Sequence, residues 1–325
     1  MRRFDLTERL LRLRGVPVFR SMTTTELAPL AATMRSATFE KGDVILREDE
    51  PPRSFHMLVR GSVTMRRRGN KIRTIKAPGA VGFLSLLART SGGTEAVAES
   101  RTETFELREG ALGEMFEDHF SVLLGTLRWI TERLIQENLV QEPPPFSPPA
   151  DGLDRLIGDR ELGTVERIFL LRRTLGFKHA NVNSTARLVR SMKEVRLPAG
   201  ATVWRPGEPA TLSLFLVKGK MELSWKNPVD GRRMVQVVGP GYIVGGAEAI
   251  ASRPRWNHLV TTEPAVFLQG SRERLIDMLE DDFEVALQFL SMLSGFLLAI
   301  WDRKAEAEAM ASAGKAPRDS SRDAV

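Results

Sequence analysis

The sequence contains no cysteine among its 325 residues. This absence excludes thiol catalysis, structural disulfides, thiolate zinc sites and cysteine-ligated iron–sulfur clusters, and it leaves the redox compartment undetermined. Histidine is also scarce. The four histidines, His56, His119, His179 and His258, are scattered without metal-site spacing, and their separations support no serine–histidine–aspartate triad. We therefore expect no metal, no cofactor and no enzyme activity.

Long apolar runs are equally rare. The segment Val285–Trp301 is uncharged over 17 residues, but it is at the short limit for a membrane span and contains Gln288, Ser291 and Ser294. The first residues, MRRFDLTERLLRLRG, interrupt their apolar positions with charges, which indicates an amphipathic helix and not a secretion signal. We expect no membrane span and a cytoplasmic location.

Composition and charge are those of a globular protein. Apolar residues make up 42% and charged residues 27%, and the length suits about two domains. The net charge of +6 is spread along the chain apart from RRRGNKIRTIK, Arg66 to Lys76. This cluster could contact nucleic acid or acidic lipid. The turn signal Gly69-Asn70 favours a hairpin with basic residues on its solvent face.

Two stretches indicate domain boundaries. Residues 142–152, EPPPFSPPADG, are proline-rich and cannot continue a helix or lie within a sheet. Residues 311–325 lack apolar periodicity and are typical of a disordered tail. The predicted domains are therefore residues 1–141 and 153–310.

The two halves repeat one pattern. FEKGDVILREDEPPRSFHMLVRGSV, from Phe39, aligns without a gap on LPAGATVWRPGEPATLSLFLVKGKM, from Leu197, at a constant offset of 158. The alignment pairs Gly42 with Gly200 and Gly61 with Gly219. Further on, APGAVGFLSLL matches GPGYIVGGAEAI after a few inserted residues. The chain is a tandem duplication of one unit.

Short alternating segments predict the strands of each unit. These are DVILRE, SFHMLVRG and SVTMRRR in the first half, and TVWRPG, LSLFLVKG and MELSW in the second. Helical spacing predicts helices over Thr23–Met34, Ala111–Val140, Asn183–Met192 and Arg274–Ala309. The predicted fold class is mainly β with flanking α: two tandem antiparallel β-roll, jelly-roll-like domains, each bracketed by helices.

One segment suggests a ligand site. In GGAEAIASRPRWNHLV, Gly245 to Val260, two glycines precede a short helix and Arg255 follows ten residues after Gly245. A helix N-terminus, an open backbone and a guanidinium are together suited to a phosphate. The alternative is a plain glycine turn with a solvated arginine.

These segments, in this order and repeated, resemble the cyclic nucleotide-binding domain of catabolite activator proteins, protein-kinase regulatory subunits and gated channels. The resemblance covers GVPVFRSMTTTELAPLAATM, FEKGDVI, LVRGSV and the PG turn before the candidate ligand segment. It implies a regulatory protein that binds a cyclic nucleotide such as cAMP or cGMP. In that family a glutamate in the ligand segment holds the ribose hydroxyl, and an arginine holds the cyclic phosphate.

The second half departs from the family pattern in part. Gly246 stands where the glutamate would be, Pro254-Arg255 keeps the proline–arginine pair, and the bulky Trp256 follows. Glu248 could reach the ribose, although we expect it to face solvent or cap the turn. We expect weak ligand binding. The candidate ligand residues are Gly245, Gly246, Ala247, Glu248, Arg255, Trp256 and Asn257.

The first half departs further. Gly82 is kept, but Phe83 replaces the glutamate, Leu84 follows it, and Gly92 stands where the arginine would be. Glu95 lies close by and would repel a phosphate. We expect a degenerate, apolar pocket with no ligand in this half.

Two functions remain open on the sequence. One is a non-enzymatic sensor that transmits ligand binding through its C-terminal helix. The other is a ligand-free scaffold of two degenerate domains. DNA binding would require a helix-turn-helix after that helix, and we expect none. The helix has two apolar rows, so it either forms a homodimer or lies buried within one chain.

Overall fold

The computed structural model describes residues 6–140, apart from 17, 18, 20, 21, 68, 91 and 92, and residues 158–313, apart from 159, 175 and 179. The proline-rich linker at 142–152 and residues 314–325 lie outside the described residues. Within the described ranges the helices are α1 Leu6–Gly15, α2 Thr24–Thr33, α3 Phe83–Ala88, α4 Glu109–Asp118, α5 Phe120–Val140, α6 Thr164–Arg172, α7 Val182–Ser191, α8 Gly246–Ala251, α9 Arg272–Asp281 and α10 Phe283–Ala313.

The first repeat forms a β-roll of two four-stranded antiparallel sheets. Its strands are β1 Arg35–Phe39, β2 Val44–Leu46, β3 Ser54–Arg60, β4 Ser62–Arg67, β5 Asn70–Lys76, β6 Gly79–Val81, β7 Glu95–Ala98 and β8 Thr102–Arg108. One sheet has the order β1-β8-β3-β6 and the other the order β2-β7-β4-β5. Apolar side chains of both sheets form the core between them, because alternate residues of each strand point inward.

The second repeat has the same architecture. Its strands are β9 Lys193–Leu197, β10 Thr202–Trp204, β11 Leu212–Lys218, β12 Met221–Lys226, β13 Arg233–Val238, β14 Ile243–Val244, β15 His258–Thr261 and β16 Ala265–Ser271. The sheet orders are β14-β11-β16-β9 and β10-β15-β12-β13, the counterparts of the two sheets in the first repeat. The predicted fold class, two tandem antiparallel β-rolls with flanking helices, is confirmed.

The offset between the repeats locates their difference in length. β1, β2 and β3 coincide with β9, β10 and β11 at the offset of 158, whereas α3, β7 and β8 coincide with α8, β15 and β16 at 163. The extra residues therefore lie in and around the β12–β13 hairpin, whose tip includes the 80% exposed Val229. Extra length at a solvent-exposed tip leaves the core unchanged.

The repeated glycine after β3 and β11 has a steric reason. Gly61 has φ +88° and Gly219 has φ +85°. A Cβ on Gly219 would lie 2.9 Å from Cα of Ala265, and one on Gly61 would lie 2.8 Å from Cα of Thr102. Glycine is required at this position for two reasons: the backbone is left-handed, and the first residue of β8 or β16 approaches it closely.

The helical segments after each roll are interrupted. The apolar pattern over Ala111–Val140 is split at His119 between α4 and α5, and that over Arg274–Ala309 is split at Asp282 between α9 and α10. α10 also continues to Ala313, two residues beyond the predicted start of the tail. Side-chain periodicity does not reveal these breaks because apolar spacing resumes on the far side.

Backbone contacts divide the chain into two units that cross the sequence halves. Among the described residues, the first unit includes the first β-roll and α10 from Ser294, and the second unit includes α5, the second β-roll and α10 as far as Leu293. The predicted boundaries at the proline-rich linker remain a prediction.

The basic segment Arg66–Lys76 forms the β4–β5 hairpin, as its turn signal indicates. Within the first unit, Arg67 pairs with Asp302 at 2.8 Å, and the Arg73 guanidinium lies 5.5 Å from the ring centre of Trp301. Lys71 pairs with Glu99 at 3.1 Å. Arg66, Lys71, Arg73 and Lys76 are nevertheless exposed, as expected for basic residues on the solvent face of a hairpin.

The apolar rows of α10 are mostly covered by the chain itself. Among the side chains that the structure describes, the apolar residues of α10 that are at most 8% exposed are Val285, Ala286, Phe289, Leu290, Leu293, Leu297 and Ile300, whereas Phe296 is 45% exposed. By length and composition, Phe283–Lys304 could cross a membrane, and 44% of the qualifying window is buried in this chain. The homodimer remains a prediction.

Candidate functional site

The glycine pair after β14 opens α8 as the sequence predicts. Gly245 has φ +77° and is the N-cap of α8, and its carbonyl accepts a hydrogen bond from the amide of Ala249. A side chain at Gly245 would meet both the Arg255 guanidinium and the Trp204 ring. Glycine at this position therefore allows the arginine to lie directly against the backbone turn.

Arg255 is brought to this turn and buried there, with 4% of its surface exposed. Its Nη1 donates to the Gly245 carbonyl at 3.1 Å, and its Nη2 donates to the Leu212 carbonyl at the start of β11. Its backbone amide donates to the Glu208 carbonyl at 2.9 Å, which fixes the segment after Pro254 against the β10–β11 loop. The guanidinium carbon lies 3.9 Å from the ring centre of Trp204, so the group also stacks on an aromatic face.

The proximity of Arg255 to the glycine turn agrees with the prediction, but its orientation differs. The anion site that the sequence predicts would require the guanidinium to point at the N–H groups of the Gly245–Glu248 turn and to share an anion with them. It instead donates to carbonyl oxygens. The physical reason is that a buried guanidinium must satisfy its own donors, and main-chain carbonyls are the acceptors within reach.

Glu248 contradicts the expectation of a solvent-facing or turn-capping side chain. It is 4% exposed, and its Oε1 accepts a hydrogen bond from Nδ2 of Asn257 at 3.3 Å. Oδ1 of Asn257 in turn accepts from Nε1 of Trp204 at 3.0 Å. The network continues through the Trp204 ring to the guanidinium of Arg255. Four buried side chains thus form one connected group.

The two ionisable members of this group affect each other. Burial raises the pKa of Glu248, and this effect outweighs the lowering by a hydrogen bond to its own backbone, by the positive charge of Arg255 and by the hydrogen bond from Asn257. Burial likewise lowers the pKa of Arg255, and the carboxylates of Glu248 and Glu208 raise it. Each charge therefore favours the ionised form of the other.

The remaining second-repeat candidates lie around this group. Trp256 is half-buried and packs against the core of the second β-roll, where its ring meets that of Trp225 edge-on at 4.9 Å. Gly246 and Ala247 are half-buried at the start of α8. A Cβ on Gly246 would approach only Cγ2 of Ile243, at 3.5 Å, which is an ordinary contact. A side chain at Gly246 would therefore fit.

The corresponding turn in the first repeat is apolar. Gly82 has φ +86° and is the N-cap of α3, as Gly245 is of α8. Phe83 is 8% exposed, and its ring meets Phe55 edge-on at 5.1 Å, while Leu84 is buried beside it. The burial of Phe83 agrees with its predicted role in an apolar pocket. Gly92 lies outside the described residues.

Two residues that contribute to the site were not predicted from the sequence. Trp204 stands 51 residues before Arg255, and Leu212 contributes only its carbonyl oxygen. The repeat carries a signal for the first, because Leu46 occupies the position of Trp204 in the first half and lies 3.1 Å from a Cβ built on Gly82. A main-chain acceptor leaves no mark in a sequence.

The described residues contain no cluster of three or more His, Asp or Glu side chains that could hold a metal ion. The residues that converge in the second repeat comprise one guanidinium, one carboxylate, one carboxamide and indole rings. This set of side chains can bind an anion or form a purely structural network. It contains no nucleophile in contact with a base.

Comparisons with known proteins agree with the repeat. A model of the cyclic nucleotide-binding domain matches residues 37–119 and 194–282, together more than half of the chain. Among curated proteins, the chain is similar to the CRP-like cAMP-activated global transcriptional regulator of Mycobacterium tuberculosis, with 23% identity over 125 residues. That match covers 38% of this chain and 56% of the relative. A cyclic nucleotide-gated potassium channel of Mesorhizobium japonicum is 34% identical over 68 residues, or 21% of this chain and 17% of the channel.

The chain thus spans about half of the length of the first of these relatives and less of the other. Among solved structures, a regulatory subunit of a cAMP-independent protein kinase A from Trypanosoma brucei aligns over 98% of this chain and 94% of its own, at 14% identity and a TM-score of 0.36. The N-terminal domain of a transcriptional regulator from Streptomyces coelicolor A3(2) aligns over 46% of this chain and 98% of its own, at 26% identity and a TM-score of 0.33. With the family model matched once in each half, this chain belongs to the cyclic nucleotide-binding domain family.

Proposed function

We propose that this chain is a non-enzymatic, cytoplasmic regulatory protein whose second repeat binds a cyclic nucleotide or a related phosphate ligand weakly. One observation carries the proposal: Arg255, a phosphate-type donor, is placed at 3.1 Å from the Gly245 carbonyl on the turn that opens α8. The names of the relatives add support, since they describe a cAMP-activated regulator and a cyclic nucleotide-gated channel.

We expect the cyclic nucleotide to bind weakly because of Gly246. Where the family carries a glutamate that holds a ribose hydroxyl, this chain has no side chain, and the loss of one such hydrogen bond costs about ten- to a hundredfold in affinity. Arg255 would also have to give up one of its carbonyl partners to take a phosphate. A dissociation constant on the order of 0.1–1 mM is expected.

The scaffold function has its own support. Trp225 is buried in the core of the second β-roll, Trp256 packs against that core, and Phe83 is buried in the first β-roll. A protein that binds no ligand can still present surfaces to partners, including a second copy of itself.

Titration calorimetry with cAMP and cGMP separates the two functions. Gly246→Glu restores a carboxylate where a side chain fits, so it should tighten binding by about ten- to a hundredfold. Arg255→Lys keeps the charge but loses the planar two-pronged donor, so it should weaken binding by about tenfold or more.

Arg253→Lys is the matched control for these variants. Its side chain is 59% exposed two positions before Arg255, so binding should change little. If neither the natural protein nor Gly246→Glu binds either nucleotide at millimolar concentration, the sensor function is wrong and the scaffold function stands.

A further inference from the structure

The buried carboxylate of Glu248 has no counterpart in the first repeat, where Ser85 stands at the equivalent position of α3. Glu248 is connected to Arg255 through Asn257 and the ring of Trp204. All four side chains are at most 5% exposed. Water therefore screens the two charges of this group poorly.

Burying a charged guanidinium among uncharged partners costs free energy of folding. The acceptors that touch the guanidinium of Arg255, the carbonyls of Gly245 and Leu212, are uncharged. Of the two carboxylates that act on its charge, Glu208 is exposed and therefore screened by solvent, whereas Glu248 is buried with it. Glu248 is thus placed to balance a charge that the barrel has taken out of water.

We propose that Glu248 is the internal counter-anion of Arg255, which holds the guanidinium in the second β-roll and opposes a phosphate that approaches it. The holding role stands on the contacts within this chain. The opposing role rests on the proposed function, because it requires a phosphate ligand. A phosphate beside Arg255 would bring a second negative charge near the carboxylate, and like charges in a poorly screened site repel.

Thermal unfolding of the full-length chain without ligand tests the holding role. Arg255→Gln leaves a buried carboxylate uncompensated, so the melting temperature should fall by on the order of 10 °C. Adding Glu248→Gln removes that carboxylate with little change of shape, and the double variant should recover about half of the loss.

Arg253 and Glu132 provide the matched control. Arg253 follows α8 and Glu132 lies on α5, and the two side chains, 59% and 36% exposed, form an ion pair. Arg253→Gln should change the melting temperature little, and combining it with Glu132→Gln should be additive, because solvated pairs contribute little to stability.

The holding role is overturned if the changes in melting temperature caused by Arg255→Gln and Glu248→Gln are additive, as those of the control pair should be. It is also overturned if the double variant is no more stable than Arg255→Gln. The same conclusion applies if Arg255→Gln fails to fold and Glu248→Gln does not restore folded protein.

Calorimetry with cAMP tests the opposing role. Glu248→Gln should bind about tenfold more tightly than the natural chain, and unchanged or weaker binding overturns this role. If cAMP binds to neither, the proposed function and the opposing role both fail, while the ligand-free unfolding experiment still decides the holding role.

Discussion

His56 is a polar side chain enclosed by the first β-roll. Its Nδ1 lies 3.2 Å from the Thr104 hydroxyl, and the ring of Phe39 packs edge-on against it. Burial lowers the pKa of His56 to about 4, and the carboxylate of Glu106 offsets this effect only in part. The imidazole is therefore neutral in the folded protein over the physiological pH range.

Stability should depend on pH through this residue. In the unfolded chain the pKa is near 6.5 and in the folded chain it is about 4. The stabilisation from neutral His56 is complete above pH 6.5 and is lost as the pH falls toward 4, by about 3 kcal/mol in total, because the unfolded state takes up the proton first.

His56→Leu introduces the residue found at the equivalent position of the second repeat, Leu214. Urea unfolding at pH 7.5 and pH 4.5 should show a smaller loss of stability for the variant than for the natural chain. An equal loss in both would assign the pH dependence to other groups.

The sequence predicted part of the candidate site at this scale. Glycines before a short helix and an arginine after a proline imply a backbone turn and a donor. Both are present and close together, but the donor points at carbonyl oxygens and not at the N–H groups of the turn. The burial of Glu248 was missed, because a glutamate in a single sequence reveals no partner. Asn257 and Trp204 become its neighbours only when the strands pair.

Among the elements, α5 has a role that its position in the sequence does not suggest. It precedes the linker, yet it packs on α8 and belongs to the second unit. Its last carbonyls, of Leu139 and Val140, accept hydrogen bonds from Trp225 at 3.1 Å and Asn227 at 3.2 Å. Leu139 also packs against the core of the second β-roll.

Leu139→Ala should therefore destabilise the second unit. Removing a half-buried leucine side chain should cost about 1–2 kcal/mol, less than for a fully buried one. The neighbouring Asn138 is exposed, so Asn138→Ala is the control and should have little effect. Fluorescence of the tryptophans during denaturation reports the difference, and equal effects of the two substitutions would remove α5 from that core.

Strands and hairpins could be predicted well at this scale, because alternation and turn residues are local properties. The breaks at His119 and Asp282 could not, since the apolar spacing resumes on the far side of each break. The membership of α5 in the second unit is a tertiary contact, which no local pattern in the chain encodes.

At the scale of the whole molecule, the contact-based units and the sequence repeats predict different boundaries for a fragment that contains the second β-roll. A chain that starts at residue 153 follows the predicted domain boundary, whereas one that starts at residue 113 keeps α5 with the second unit. We expect the fragment 113–310 to unfold cooperatively at a higher temperature than 153–310, because the shorter fragment exposes the core that Leu139 covers. Circular dichroism melting curves measure this. Equal melting temperatures would favour the boundary predicted at the linker.

The duplication makes each copy a reference for the other. Gly82 and Gly245 keep the same left-handed turn, although the first copy has glycine where the second has Arg255. A backbone feature that remains where its opposing arginine is absent is maintained by the geometry of the roll. Such turns therefore identify ancestry and shape, and a cyclic nucleotide receptor must be recognised by the side chains around the turn.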